Sequence, residues 1–167
     1  MNDISDYLFA IISAASGKYL TVPGNTPEDW NKGRLEIQSQ SRKAPPKGGP
    51  GDVAEQCWQL IPVGPGVFKI ISVRSNKVLE VRGASKEDHA VIQQNTDQGG
   101  VNQHWVLVLV DDIGPSFLIF SELSKKVLDV PFPSTEDSVT IQQYTRKFRQ
   151  AANQHWILNM TEIQVEG

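Results

Sequence analysis

Three tryptophans, Trp58, Trp105 and Trp156, stand about fifty residues apart, and a glutamine precedes each by two positions: Gln56, Gln103 and Gln154. The phrases ahead of them recur in one order. Leu20-Thr21-Val22, Ile37-Gln38-Ser39-Gln40 and Glu55-Gln56-Cys57-Trp58 come first; Leu79-Glu80-Val81, Ile92-Gln93-Gln94-Asn95 and Asn102-Gln103-His104-Trp105 follow; Leu128-Asp129-Val130, Ile141-Gln142-Gln143-Tyr144 and Asn153-Gln154-His155-Trp156 close the chain. Self-similarity at a fixed period marks a stacked supersecondary unit that cannot bury its apolar face alone. Three degenerate copies, roughly 7–64, 65–113 and 114–160, therefore fill a single domain over 1–167, and each gives one large ring to a shared core.

Within a copy the pattern is that of strands. The apolar pairs Leu20 and Val22, Leu79 and Val81, Leu128 and Val130 are two residues apart and share a face, so Thr21, Glu80 and Asp129 point the other way. Ser16-Gly17-Lys18, Ser75-Asn76-Lys77 and Ser124-Lys125-Lys126 read as hairpin loops, since Gly and Asn suit positive φ. Third strands begin at Leu35, Val91 and Thr140, after polar loops carrying Glu28-Asp29, Glu87-Asp88 and Glu136-Asp137. No helical period is sustained.

Phe9-Ala10-Ile11-Ile12-Ser13 lies in an apolar run that resembles a secretory signal, but Asp3 and Asp6 stand where a basic region is needed. The same phrase recurs as Phe68-Lys69-Ile70-Ile71-Ser72 and more loosely as Phe117-Leu118-Ile119-Phe120-Ser121, which makes it a strand of the fold. A cytoplasmic location, or release without a classical signal, is expected, and no stretch approaches the ~20 apolar residues of a membrane span. Cys57 is the one cysteine, so no disulfide forms within the chain. With a net charge of −3 and scattered Lys and Arg, there is no electrostatic footprint for nucleic acid or for insertion into an anionic membrane.

All-β repeats closing on Gln-x-Trp resemble the ricin B-type β-trefoil lectins over essentially the whole chain. The resemblance implies twelve strands in three pseudo-symmetric lobes of four, with Trp58, Trp105 and Trp156 structural and buried, no cofactor and no enzymatic activity. It also implies shallow pockets, up to one per repeat. In the third copy Asp129 would accept from two neighbouring sugar hydroxyls, Tyr144 would be the aromatic platform, Asn153 would donate and accept, and Gln142 and Gln154 would orient the set. Galactose or N-acetylgalactosamine is the default ligand that the resemblance implies. A second carbohydrate site would use Glu80, Gln93, Asn95, Asn102 and Gln103, with a longer acid and no platform. Thr21, Gln40 and Glu55 replace the acid, the ring and the amide in the first copy, so that pocket is expected to be dead.

Each signal has a plainer reading. Asp129 could be a strand-end carboxylate held by backbone amides, and Tyr144 a half-buried strand aromatic. Trp30 reads as packing under the first loop. Cys57, His104 and His155 share the middle position of the closing motif but lack the paired spacing of a zinc site, so no metal is expected. His89 is a loop residue with no evident partner. The segment from Ser41 to Gly51 is rich in Pro and Gly; it reads as a tolerated insertion, or else as an interaction loop. The latter would favour the alternative function, a trefoil that binds proteins or inhibits proteases through its loops. Glycans or glycoconjugates are the expected partners, and a homodimer would give useful avidity.

Overall fold

Each of the three predicted hairpin loops turns on one residue of positive φ: Gly17 at 72°, Asn76 at 57° and Lys125 at 61°. A serine hydroxyl accepts from the backbone two residues on in all three, Ser16 from Lys18, Ser75 from Lys77 and Ser124 from Lys126, at 3.1, 3.2 and 3.1 Å. The computed structural model describes residues 3–45, 50–110, 115–132 and 134–163. Pro46 to Gly49, the tip of the Pro/Gly-rich insertion, lies outside the described residues.

Six strands form a closed barrel. These are β1 (Leu8–Ser13), β5 (Trp58–Gly64), β6 (Val67–Ser72), β9 (Trp105–Val110), β10 (Ser116–Ser121) and β14 (Trp156–Thr161). β1 pairs with β5, β5 with β6, β6 with β9, β9 with β10, β10 with β14, and β14 returns to β1. Closure removes every edge from this ring. The apolar run at the start of the chain is thus a barrel strand, paired on both sides.

The other strands cap one end of the barrel as three hairpins: β2 (Tyr19–Thr21) with β4 (Gln38–Gln40), β7 (Val78–Val81) with β8 (Ile92–Asn95), and β11 (Val127–Asp129) with β13 (Gln142–Tyr144). Two short strands, β3 (Leu35–Glu36) and β12 (Val139–Thr140), join neighbouring hairpins, β3 to β8 and β12 to β4. Val91 bridges to Gln142 at the third such junction. The resemblance implied twelve strands; among the described residues there are fourteen, because the third strand is broken at Ile37 in the first lobe and at Ile141 in the third. The break has a local cause. Ile37 donates to Ile92 O, Ile92 to Ile141 O, and Ile141 to Ile37 O, at 3.0, 2.9 and 2.9 Å, so the three backbones close a ring about the pseudo-threefold axis. This is a β-trefoil.

Among the described residues helix is confined to single turns. α1 (Pro27–Trp30) sits in the first loop, capped by Thr26 and Asp29 in a capping box. Before each closing tryptophan runs a 3-10 turn, Ala54–Gln56, Val101–Gln103 or Ala152–Gln154, which swings the glutamine inward. The indoles are fully buried, and each donates to the second-strand leucine of its own lobe: Trp58 to Leu20 O, Trp105 to Leu79 O and Trp156 to Leu128 O, at 3.0, 3.0 and 3.1 Å. The motif glutamines are equally regular. Gln56 donates to Ser41 O and accepts from Lys43 N, Gln103 does so with Thr96 and Gln98, and Gln154 with Thr145 and Lys147.

Candidate functional site

Pleating puts the middle residue of each Leu-x-Val triplet on the side away from the barrel core, but that side is not solvent. Thr21, Glu80 and Asp129 are all buried, because the closing-motif amides fold over them. Asp129 ends β11 directly opposite Gln142 on β13. Gln142 Nε2 donates to Oδ1 at 2.9 Å, while Gln154 and Asn153, delivered by the 3-10 turn, donate to Oδ2 at 3.0 and 3.2 Å. Asn153 Nδ2 also reaches Val130 O at 2.9 Å, which fixes the orientation of its amide. Its Oδ1 is buried and has no hydrogen-bond partner among the described residues. Burial raises the pKa of Asp129 above its ordinary value, and the Gln142 and Gln154 amides offset part of that rise.

Tyr144, at the end of β13, is half-buried beside this cluster. The Lys147 ammonium lies 4.7 Å from its ring centroid, and the His89 ring meets it edge-on at 5.1 Å. The structure thus brings Asp129, Gln142, Asn153 and Gln154 into one hydrogen-bonded set, with Tyr144 the strand neighbour of Gln142 and Gln143. It adds two residues that sequence reasoning missed. His89 is not without a partner: its Nδ1 is 3.2 Å from Gln142 Oε1, and it arrives from the second lobe with a φ of 71°. Nothing in the local sequence announces this reach. Lys147 could have been found, since it stands where the Gln154 amide grips the chain.

In the second lobe Glu80 is held by four amides: Gln93 and Asn95 on Oε1 at 2.9 and 2.7 Å, Asn102 and Gln103 on Oε2 at 3.3 and 3.1 Å. The five predicted residues meet here too, beside a hollow of about 550 Å³ that Arg34 of the first lobe also lines.

The first lobe has no equivalent acid. Thr21 Oγ1 takes the Gln56 amide at 3.1 Å, Gln40 bonds Gln38, and Glu55 turns to Arg74 at 3.0 Å and Lys43 at 3.6 Å. Trp30 packs against the core, donates to Gly24 O at 3.1 Å and carries the Arg74 guanidinium 4.3 Å from its ring. The described part of the insertion is anchored: Arg42 holds Asp52 at 2.6 Å, and Thr161 donates to the same carboxylate at 2.7 Å.

Cys57, His104 and His155 go separate ways. Cys57 is fully buried, which pushes its thiol up to about 12; His104 faces Glu122 at 3.4 Å and His155 faces Ser116 at 3.3 Å. Among the described residues no group of His, Cys, Asp and Glu could hold a metal ion, and no helix is long and apolar enough to cross a membrane.

The ricin-type beta-trefoil lectin domain-like model matches residues 54–144 and 102–165. A designed threefold-symmetric protein, ThreeFoil, is similar at 29% identity and a TM-score of 0.78, over 93% of this chain and 99% of its own. An exo-β-1,3-galactanase from Clostridium thermocellum is similar at 32% identity and a TM-score of 0.77 over 93% of this chain, which spans only 30% of the galactanase chain. The ricin B-like lectin of Macrolepiota procera, solved with lactose, shares the fold at 16% identity and a TM-score of 0.74, over 95% of this chain and 99% of its own. No curated protein matches the sequence.

Proposed function

The chain belongs to the ricin-type β-trefoil lectin domain-like family, and from that premise we propose that it is a carbohydrate-binding protein, not an enzyme, that takes a galactose- or N-acetylgalactosamine-type sugar in its third lobe. One observation carries the reading. Among the described residues Asn153 Oδ1 is a buried acceptor without a partner, on the same side chain that donates to Asp129. Buried polar atoms are as a rule hydrogen-bonded, so an orphaned amide oxygen beside a carboxylate asks for a ligand rich in O–H donors.

The geometry refines how the hydroxyls would be shared. A carboxylate offers about four lone-pair sites, and protein amides already take three of those on Asp129. One hydroxyl therefore goes to Asp129 and its neighbour to Asn153 Oδ1, rather than both to the acid. A charged hydrogen bond of this kind is worth about 1.5–3 kcal/mol. The apolar C–H face of the pyranose lies on Tyr144, and where it takes the face that Lys147 covers, displacing that cation costs about 0.5–1 kcal/mol. Asp129 and Asn153 are both nearly buried, so opening them to a ligand uses part of the gain. A monosaccharide Kd near ~1 mM, or −4 kcal/mol, is the outcome this balance favours. Useful avidity then comes from a second live pocket or a homodimer.

A glycan panel probed with the wild type, Tyr144→Ala and Asp129→Ala tests the proposal. Binding of terminal galactose or N-acetylgalactosamine that both variants abolish is the expected result. A panel that stays blank at high protein concentration would overturn it, and inhibition of a protease would then point to the loop-binding alternative.

A further inference from the structure

The two lobes that carry an acid differ in what remains free around it. All four lone-pair sites of Glu80 are spent on Gln93, Asn95, Asn102 and Gln103, so it has none for a sugar hydroxyl. Apart from the side-chain oxygens of Gln98 and Asn102, the groups left free around the hollow beside it are the donors of two arginines. Arg34 is exposed, and among the described residues its guanidinium has no hydrogen bond or ion pair. Arg82 uses its Nε on Gln93 Oε1 at 2.7 Å and one terminal nitrogen on Glu36 at 3.2 Å, which leaves three of its five N–H groups.

Arg34 is brought there by an uncommon backbone. Its φ is 60°, a left-handed conformation that residues other than glycine rarely adopt. His89 occupies the matching place before the next lobe with a φ of 71° and reaches the third-lobe cluster. In both cases one lobe lends a basic side chain to the site of the next. About 550 Å³ is within the usual range for a small-ligand site and accommodates a hexose.

We propose that the second-lobe hollow binds an acidic saccharide, whose carboxylate or sulfate group is held between Arg34 and Arg82. Guanidinium groups bind both anions through paired N–H donors. The inference rests on the third-lobe reading only in taking the ligand to be a sugar. Glu36 neutralises part of Arg82, so Arg34 supplies most of the attraction and binding weakens as salt is raised.

The test follows backbone amide resonances of Gly83, at the second-lobe hollow, and of Tyr144 while galacturonic acid, galactose 6-sulfate and galactose are titrated separately. Expected is a saturable shift of Gly83 with one or both acidic sugars and none with galactose. Arg34→Ala should weaken that shift about tenfold or more, the loss of one charged hydrogen bond. Among the described residues Arg34 has no partner to lose, and unchanged indole N–H resonances of Trp105 check that the variant is folded. No shift of Gly83 with either acid, an equal shift with galactose, or an affinity unaffected by Arg34→Ala would each overturn the proposal. Galactose moving Tyr144 while nothing moves Gly83 removes this site and keeps the third; the reverse pattern keeps this site and removes the third.

Discussion

Gln154 Nε2 lies 3.0 Å from Asp129 Oδ2 and donates to it, with the same nitrogen also donating to Thr145 O at 3.0 Å. One side chain thus ties the end of the closing motif, the chain leaving Tyr144 and the acid at the base of the third lobe. The motif glutamine belongs to both scaffold and site, and substitutions at either end of this bond act on both.

Asp129→Ala should therefore do two things at once. It leaves three amides without this acceptor, two of them buried (Asn153 and Gln154) and one half-buried (Gln142), and should cost about 2–4 kcal/mol of stability, seen as an earlier urea midpoint. Glycan binding should vanish. Tyr144→Ala removes a half-buried ring with no backbone role, so it should abolish binding while stability falls by about 1 kcal/mol or less. Equal stability losses in the two variants would contradict this division of labour.

The repeat frame was legible because core packing punishes any departure from it. Leu20, Leu79 and Leu128 with the three tryptophans are 0% exposed, and no substitution at such positions is cheap. The hydrogen-bonded members of the third-lobe set were legible for a related reason: an acid and amides that complete each other recur in the phrases that the frame aligns. What crosses between lobes was not legible. His89 and Arg34 reach the following lobe from loops of different length and with no shared residue type, and only the fold brings them beside Gln142 and Glu80. The paired loop acids also divide: Asp88 and Asp137 latch Thr145 and Ser41 of the next lobe, at 2.8 and 2.7 Å, whereas Asp29 accepts from Asn25 and Thr26 of its own loop.

Acid should remove binding before it loosens the latch between the first and third lobes. Burial holds the pKa of Asp129 above 3.8. Between that value and the raised one the folded chain keeps a proton that the unfolded chain has lost, so this group favours folding on the acid side and the contribution fades as pH rises through the window. Hydroxyl binding needs the ionised acid and so weakens as pH falls into the same window. Asp137 behaves oppositely, since Lys18 and Ser41 hold its pKa down to about 2; its contribution is present above 3.8 and is lost as pH falls through about 2. Affinity measured from about pH 7 to about pH 3, with carboxyl carbon resonances followed in parallel, checks both. An affinity that stays flat down to 3.8 would count against Asp129 as the acceptor.

Phe132 stands three residues after Asp129, as Gly83 stands three after Glu80, and both have a left-handed backbone, with φ of 54° and 64°. The phenylalanine is 91% exposed. Phe132→Gly relieves a strain of about 1–2 kcal/mol and adds about 0.5–1 kcal/mol of unfolded-state entropy. Loss of the whole aromatic side chain should thus leave the thermal midpoint unchanged or slightly raised, whereas Phe132→Val, β-branched at the same φ, should lower it.

The three lobes clasp one another in an incomplete cycle. Gln94 donates to Trp30 O and Lys32 O in the loop of the first lobe, at 2.9 and 2.8 Å, and accepts from Ser75 at 2.7 Å. Gln143 repeats this on the second lobe, donating to Ser85 O and Glu87 O at 3.0 and 2.7 Å and accepting from Ser124 at 2.8 Å. The matching position of the first lobe is Ser39, whose hydroxyl is buried without a hydrogen-bond partner among the described residues. A serine is too short to span the gap to the third-lobe loop. Gln94→Ala strands two loop carbonyls and a serine and should cost about 2–3 kcal/mol, and Gln143→Ala about the same. Ser39→Ala removes an unpaired hydroxyl and should be neutral or stabilising by up to about 1 kcal/mol. Urea unfolding of the three variants reads the difference, and a clear loss in Ser39→Ala would mean that its hydroxyl is bonded after all, through a bound water.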